Sequence, residues 1–138
     1  MGWQITDGTN TEALTVINAP TVDHAVAVEA YDTETAIKVR GDRLPEARPL
    51  EVEIGIHEAS YGDALAKLKR VLAIARTSGA KLQYIEGTET IERTIDGLAS
   101  YEATRLYPDQ GLIQVRLRLL PTGPYWSSSV RGNLVWVW

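Results

Sequence analysis

The sequence predicts an α+β fold: a mostly antiparallel β-sandwich with one flanking α-helix. Three observations predict it. Apolar residues alternate with polar ones through several separate runs, the period of a strand with one buried face. A single segment switches to helical spacing. Turn-forming residues divide the strand-like runs at short intervals.

Taken along the chain, residues 13–18 form the first strand candidate. Val26 and Val28 belong to an apolar stretch that predicts another. Ile37 and Val39 alternate with Lys38 and Arg40, which predicts a strand over 35–40. Gly41 to Pro49 is polar, holds two prolines and is expected to be an exposed loop. The clearest alternation follows: Leu50, Val52, Ile54 and Ile56 against Glu51, Glu53, Gly55 and His57.

From Tyr61 to Ser78 the apolar residues fall at Leu65, Leu68, Val71, Leu72 and Ala75, so the spacing predicts a helix over 61–78. Its Leu65, Leu68 and Leu72 stripe is expected to pack on the sheet. Ser60 is placed to cap its start, with Asp63 three residues on. Gly79 stands where a helix end favours a left-handed residue, and Arg76 lies in the expected last turn, where a cation suits the dipole.

Strands are expected over 81–86, 90–95 and 98–106, with Asp96-Gly97 read as a tight turn or else a bulge. Tyr107 to Gly111 separates 98–106 from the alternating run Ile113, Val115, Leu117 and Leu119, which predicts a hairpin of 98–106 with 112–120. Residues 1–126 are expected to form one domain. Ser127 to Gly132 reads as a linker leading to a C-terminal strand over 133–138, whose Trp136 and Trp138 are expected to be covered by a sheet edge or a neighbouring subunit.

The chain has 138 residues, enough for one core, with 44% hydrophobic and 23% charged residues, a globular balance. Its formal net charge of -4 argues against a protein that grips nucleic acid, because phosphate is neutralised by clustered Lys and Arg. There is no cysteine, which excludes disulfides and thiolate chemistry. No apolar run has the roughly 18 to 20 residues of a membrane helix, and Met1 to Gln4, without a basic region before an apolar stretch, is not expected to open a signal peptide. Synthesis in a cytoplasm is the expectation.

Little in the sequence points to catalysis. His24 and His57 each stand beside a carboxylate, but neighbours on a strand point to opposite faces. Surface histidines are the expectation, ahead of a metal site or acid–base pair. Ser127-Ser128-Ser129 lacks the strained turn of a nucleophile. No phosphate-cradling glycine loop is present. Glu86, Glu89, Glu92, Asp96 and Glu102 cluster in sequence; a solvated acidic sheet face is expected rather than a glycosidase pair. No enzyme activity and no cofactor are therefore expected.

The order of elements from about 35 to 126 resembles the N-terminal domain of siphophage distal tail proteins. The features that carry it are the strand Arg48-Pro49-Leu50-Glu51-Val52-Glu53-Ile54-Gly55-Ile56, the helix with Ala64-Leu65-Ala66-Lys67-Leu68-Lys69-Arg70-Val71-Leu72, the strand Lys81-Leu82-Gln83-Tyr84-Ile85-Glu86, and a hairpin that ends in Leu119-Leu120-Pro121-Thr122-Gly123-Pro124-Tyr125-Trp126. The closing Pro-Tyr-Trp is similar to the family's aspartate-proline-tyrosine-tryptophan end, with Gly123 in the place of the acidic residue.

The resemblance implies a tail-tube-like β-sandwich that closes, as a hexamer in that family's manner, into a ring around the DNA channel, joining the tail tube protein to the tip or hub protein. It implies a virion tail component assembled in the host cytoplasm. The family's carbohydrate-binding second domain is not expected within these residues. A tail-tube or tail-terminator subunit shares the fold logic, and a small carbohydrate-binding β-sandwich module is the rival from another class. Within the ring reading, Glu86, Glu89 and Glu92 are candidates to line the channel and repel DNA. Arg43 and Arg48 are candidates for a subunit interface, or for a plain solvated loop. Trp126, Trp136 and Trp138 are candidate interface anchors or a sugar platform.

Overall fold

The computed structural model describes residues 2–20, 49–122, 126–130 and 132–134. The expected strands around Val26 and over 35–40, and the loop 41–49 except Pro49, lie outside the described residues.

The strands are β1 (Gly2–Thr6), β2 (Thr11–Asn18), β3 (Leu50–His57), β4 (Ala80–Glu86), β5 (Glu89–Tyr107), β6 (Leu112–Pro121), β7 (Trp126–Ser128) and β8 (Gly132–Leu134), with helix α1 (Tyr61–Ala75) between β3 and β4. Every pairing is antiparallel. The order β4-β1-β2-β3-β6-β5 returns to β4 through the β4–β5 hairpin, so these strands form a closed circuit, with β7 and β8 added beside β5. The mostly antiparallel α+β class is the one the sequence predicts. The layers expected of a sandwich are here parts of one continuous sheet.

The core follows from the alternations. Across β3 and β6, Leu50 faces Leu119, Val52 faces Leu117, Ile54 faces Val115 and Ile56 faces Ile113. All eight side chains are buried. Ile5, Leu14, Ala80, Leu82, Ile91, Ile95 and Trp126 complete the sheet's share of the same core. β1 was not among the expected strands, although Trp3 and Ile5 alternate with Gln4 and Thr6; the run is too short to stand out by itself. Its hairpin to β2 turns at Asp7, whose carboxylate accepts the backbone N–H groups of Thr9 (2.9 Å) and Asn10 (2.6 Å). These bonds, that from Asn10 first, hold the Asp7 carboxyl below its usual range.

α1 touches β1, β2, β3, β5 and β6, each over a short stretch, so it lies across the circuit rather than along one strand. Ser60 caps it as expected, its Oγ accepting from the Asp63 N–H at 3.1 Å. The helix stops at Ala75, short of the expected Ser78. Arg76 is the cap residue, its N–H bonding back to Leu72 and Ile74, and Thr77 bonds to Ile74 in a tighter turn. Gly79 therefore serves the turn into β4 and not the helix cap. Arg76 lies beyond the last turn, its guanidinium 5.8 Å from the Tyr101 ring centroid. The buried seam runs through Ala64, Leu68, Val71, Leu72, Ile74 and Ala75. Leu65, expected on that seam, is 37% exposed, because Ala64 rather than Leu65 sits at the centre of the stripe.

Of the two readings of Asp96-Gly97 the bulge holds, and one further expectation changes. Asp96-Gly97 is no hairpin turn: β5 runs through it, since Ile95 pairs with Pro121 and Leu98 with Leu119 of the same partner strand. The surplus residues form a bulge, with Gly97 at φ 114°. Ser127 to Gly132 is no linker: β7 and β8 form a hairpin, with Ser128 buried and Ile91 opposite it on β5. The first residues of the expected C-terminal strand thus pair within the chain's own sheet; 135–138 lie outside the described residues.

The β5–β6 hairpin forms as expected, through a 3-10 turn Pro108–Gln110 and Gly111 in the left-handed region at φ 62°. A Cβ on Gly111 would lie 2.3 Å from the Glu58 carbonyl oxygen.

Two outcomes follow. Leu68→Ala should destabilise the protein by about 2–5 kcal/mol, whereas Leu65→Ala and Lys69→Ala should each change it by no more than about 0.5 kcal/mol, all measured by urea unfolding; equal effects would remove the burial assignment. Gly111→Ala combines a left-handed backbone costing about 1–2 kcal/mol with a backbone clash, and should lower the melting temperature more than Gly2→Ala, which meets open space.

Candidate functional site

The outer face of β3, β6 and β5 is polar and ordered by charge. Cross-strand register sets Glu51 opposite Arg118 and Glu53 opposite Arg116, and Arg116 in turn opposite Glu102. The ion pairs are 3.6 Å and 4.0 Å long respectively. Both arginines are about half exposed, so each pair contributes at most about 1 kcal/mol. Glu53 does more than pair with one charge. It also accepts from Asn18 Nδ2 (2.7 Å) and Thr104 Oγ1 (3.1 Å), which ties β2, β3, β5 and β6 together at one carboxylate.

The three carboxylates expected to line a channel do not share a surface. Glu86 and Glu89 face each other across the β4–β5 hairpin on the side that carries Ile91 and Tyr84. Glu89 accepts from the Ser128 hydroxyl. Glu92 lies on the opposite side, held by Gln83 Nε2 at 3.0 Å and Lys81 Nζ at 2.8 Å, and Gln83 is bonded in turn by Gln4 at 2.6 Å. Once both lie on one unbroken strand, residue parity alone separates Glu89 from Glu92.

Trp126, expected at an interface, has no exposed surface. It packs edge-on against Trp3 (centroids 6.0 Å apart), with the Arg93 guanidinium 5.8 Å from its own ring centroid. Trp3 meets Tyr84 at 5.0 Å. Arg93 is itself only 5% exposed, and burial pulls its pKa down to about 10, leaving it charged at neutral pH. A tryptophan enclosed this way belongs to the core and presents no ring to a sugar or a second subunit. Arg43, Arg48, Trp136, Trp138 and His24 lie outside the described residues. His57 is exposed at the end of β3. Among the described residues no three His, Asp or Glu side chains gather as a metal site, and no helix is long and apolar enough to cross a membrane. An open groove of about 360 Å³ lies between the β1–β2 turn and α1, where Arg70 pairs with Glu12 at 3.3 Å.

The feature that sequence reasoning missed is the outer edge of β5. Its first half is paired on both sides, with β4 on one and β7 or the end of β6 on the other. Its second half, 98–107, is paired with β6 alone; among the described residues no strand occupies the other edge. Tyr101 (47%), Leu106 (51%) and Tyr107 (38%) are exposed there. The apolar spacing was visible in the sequence, but nothing local reveals that a strand has one neighbour rather than two.

No protein-family model matches the chain, and neither a curated protein nor a solved structure matches it.

Because Trp126 fills the core, Trp126→Ala should destabilise the isolated chain by about 3–5 kcal/mol in urea unfolding. Unchanged stability with impaired self-association would return Trp126 to an interface role.

Proposed function

We propose that the chain is a structural, ring-forming subunit of a long-tailed phage tail, of the distal-tail type, joining the tail tube to the tip hub around the DNA channel. The reading rests on the resemblance carried by residues from about 35 to 126, whose motifs run from Arg48 to Trp126. The elements that carry it form in the required order: a two-faced strand at 50–57, a helix at 61–75, a short strand at 80–86 and a long closing hairpin. The single observation that most favours a self-assembling protein is the partly apolar edge at 98–107, which no strand covers among the described residues. A long open edge is a template for another strand, and a protein that keeps one needs a partner or risks aggregation.

The tail-tube-like character of the sheet belongs to this proposal, as do the tube and hub partners, the hexameric copy number and the location in the virion. A tail-tube or tail-terminator subunit would use the same fold. The burial of Trp126 takes one tryptophan away from the carbohydrate-binding alternative; a glycan array with no bound sugar is the corresponding expectation. DNA would pass through without being gripped, which the net charge of -4 supports. That support is now the overall charge and no longer a shared strip of Glu86, Glu89 and Glu92.

Negative-stain imaging and light scattering of the purified chain, alone at high concentration and with neighbouring tail proteins, should show closed rings. A monomer under all these conditions would overturn the proposal. In a gel at physiological salt the protein should leave duplex DNA unshifted; tight, steeply salt-dependent binding would mark a DNA-binding protein instead.

A further inference from the structure

We propose that the edge of β5 left open among the described residues pairs with the same edge of a second copy of this chain, antiparallel about a two-fold axis. In the pairing Glu102 of each copy faces Arg105 of the other. The contact is isologous and therefore distinct from the head-to-tail contact that closes a ring. It goes beyond the ring reading and names what covers this edge when two copies meet.

The argument starts from the faces of the strand. Pairing with β6 sets Tyr101 opposite Leu117, Ala103 opposite Val115 and Leu106 opposite Ile113, so these three lie on the core side. Glu102 opposite Arg116, Arg105 opposite Gln114 and Tyr107 opposite Leu112 lie on the outer side, as does Ser100 opposite Arg118. The register shift between Ala103 and Arg105 absorbs the residue that would otherwise break this division. Residues directly opposite in an antiparallel pair must share a face.

Away from the bulge, the two-fold register that pairs Glu102 with Arg105 meets that demand and matches the chemistry; at the axis Ala103, on the core side, meets Thr104, whose hydroxyl bonds Glu53 on the outer side. The same register sets Glu102 against Arg105, Tyr101 against Leu106 and Ser100 against Tyr107, each pair occurring twice, with the bulge at the axis. The charges become complementary and the exposed apolar side chains meet each other. A slip by one residue puts core-side residues against outer-side ones. Centring the axis on Glu102 or on Arg105 opposes like charges, which destabilises a cross-strand pair. Glu102 and Arg105 are both exposed, so they are accessible to a second copy. Bulges and charges are the usual means of blunting an edge; here the two charges carry opposite signs at positions that a two-fold axis brings together.

The absence of native cysteine makes the test clean. Glu102→Cys and Arg105→Cys chains are prepared separately, mixed and oxidised. Directly opposite residues lie about 4.5–5.5 Å apart between Cα atoms, within the usual disulfide range, whereas two copies of position 102 would be offset by three residues, about 10 Å along the strands. A disulfide-linked heterodimer should form in the mixture, and neither variant alone should cross-link. No cross-link in the mixture, or equal cross-linking of each variant alone, overturns the pairing.

Sedimentation supplies the second measurement. Glu102→Arg should weaken dimerisation by about tenfold or more, and the double exchange Glu102→Arg with Arg105→Glu should restore it. Since Glu102→Arg also sets a cation beside Arg116, circular dichroism melting checks that the single variant is folded; the cysteine variants introduce no charge clash. Failure of the exchange to restore dimers from folded protein overturns the proposal. Dimers without rings, or rings without the 102–105 cross-link, show which of the two readings has failed.

Discussion

The register of β3 against β6 is the constraint from which the rest of the molecule follows. Four buried pairs, from Leu50–Leu119 to Ile56–Ile113, stand face to face along its length. A slip of one residue in either strand would carry that strand's four side chains to the outer surface and bring Glu51 and Glu53, or Arg116 and Arg118, into the core. Transfer of apolar side chains to water costs on the order of 1.5–3 kcal/mol each, so the correct register wins by far more than any surface ion pair contributes. The charges on the other face agree with it: Glu51–Arg118 and Glu53–Arg116 pair only in this alignment. Glu53 then extends the alignment sideways to Asn18 and Thr104.

With that ladder in place, closing the circuit depends on β1 and β5. β1 is short, yet it joins β2 to β4 and brings Ile5 into the core with no exposed surface. β5 is long because it serves two neighbours in succession on one side: β7 at Ile91 and Glu92, then β6 from Ile95 to Tyr107. The bulge at Asp96-Gly97 lets one strand follow both without a break. On its other side β4 covers only the first half. The same length that completes the circuit therefore leaves 98–107 with a free edge among the described residues, and structural closure and capacity for association arise from one strand.

The cluster of Trp126, Trp3, Tyr84 and Arg93 shows how a polar-tipped aromatic set can serve a core. Trp and Tyr are common at interfaces because one end is apolar and the other polar, and the four Trp and six Tyr invite that reading. Here Arg93 supplies a buried cation near the tryptophan ring, an arrangement that is strongest when desolvated. Composition alone does not distinguish an inward aromatic cluster from an outward one.

Periodicity by itself determined the buried faces of 50–57 and 112–120, the start of the helix at Ser60 and the hairpin around Pro108, because each depends on residues close in sequence: a period of two, a side-chain cap and a turn. Tertiary structure decided what depends on the neighbour. Leu65 lies at the rim because the sheet meets the Ala64–Leu68–Val71 seam. Asp96-Gly97 is a bulge because β6 holds both flanking segments. Trp126 is enclosed because β7 lies beside β5, and Glu89 and Glu92 face opposite ways because β5 is unbroken. Local pattern specifies which side chains seek burial and with what period. Which strand lies alongside, and whether an edge is paired at all, is set by long-range contacts that no local pattern records.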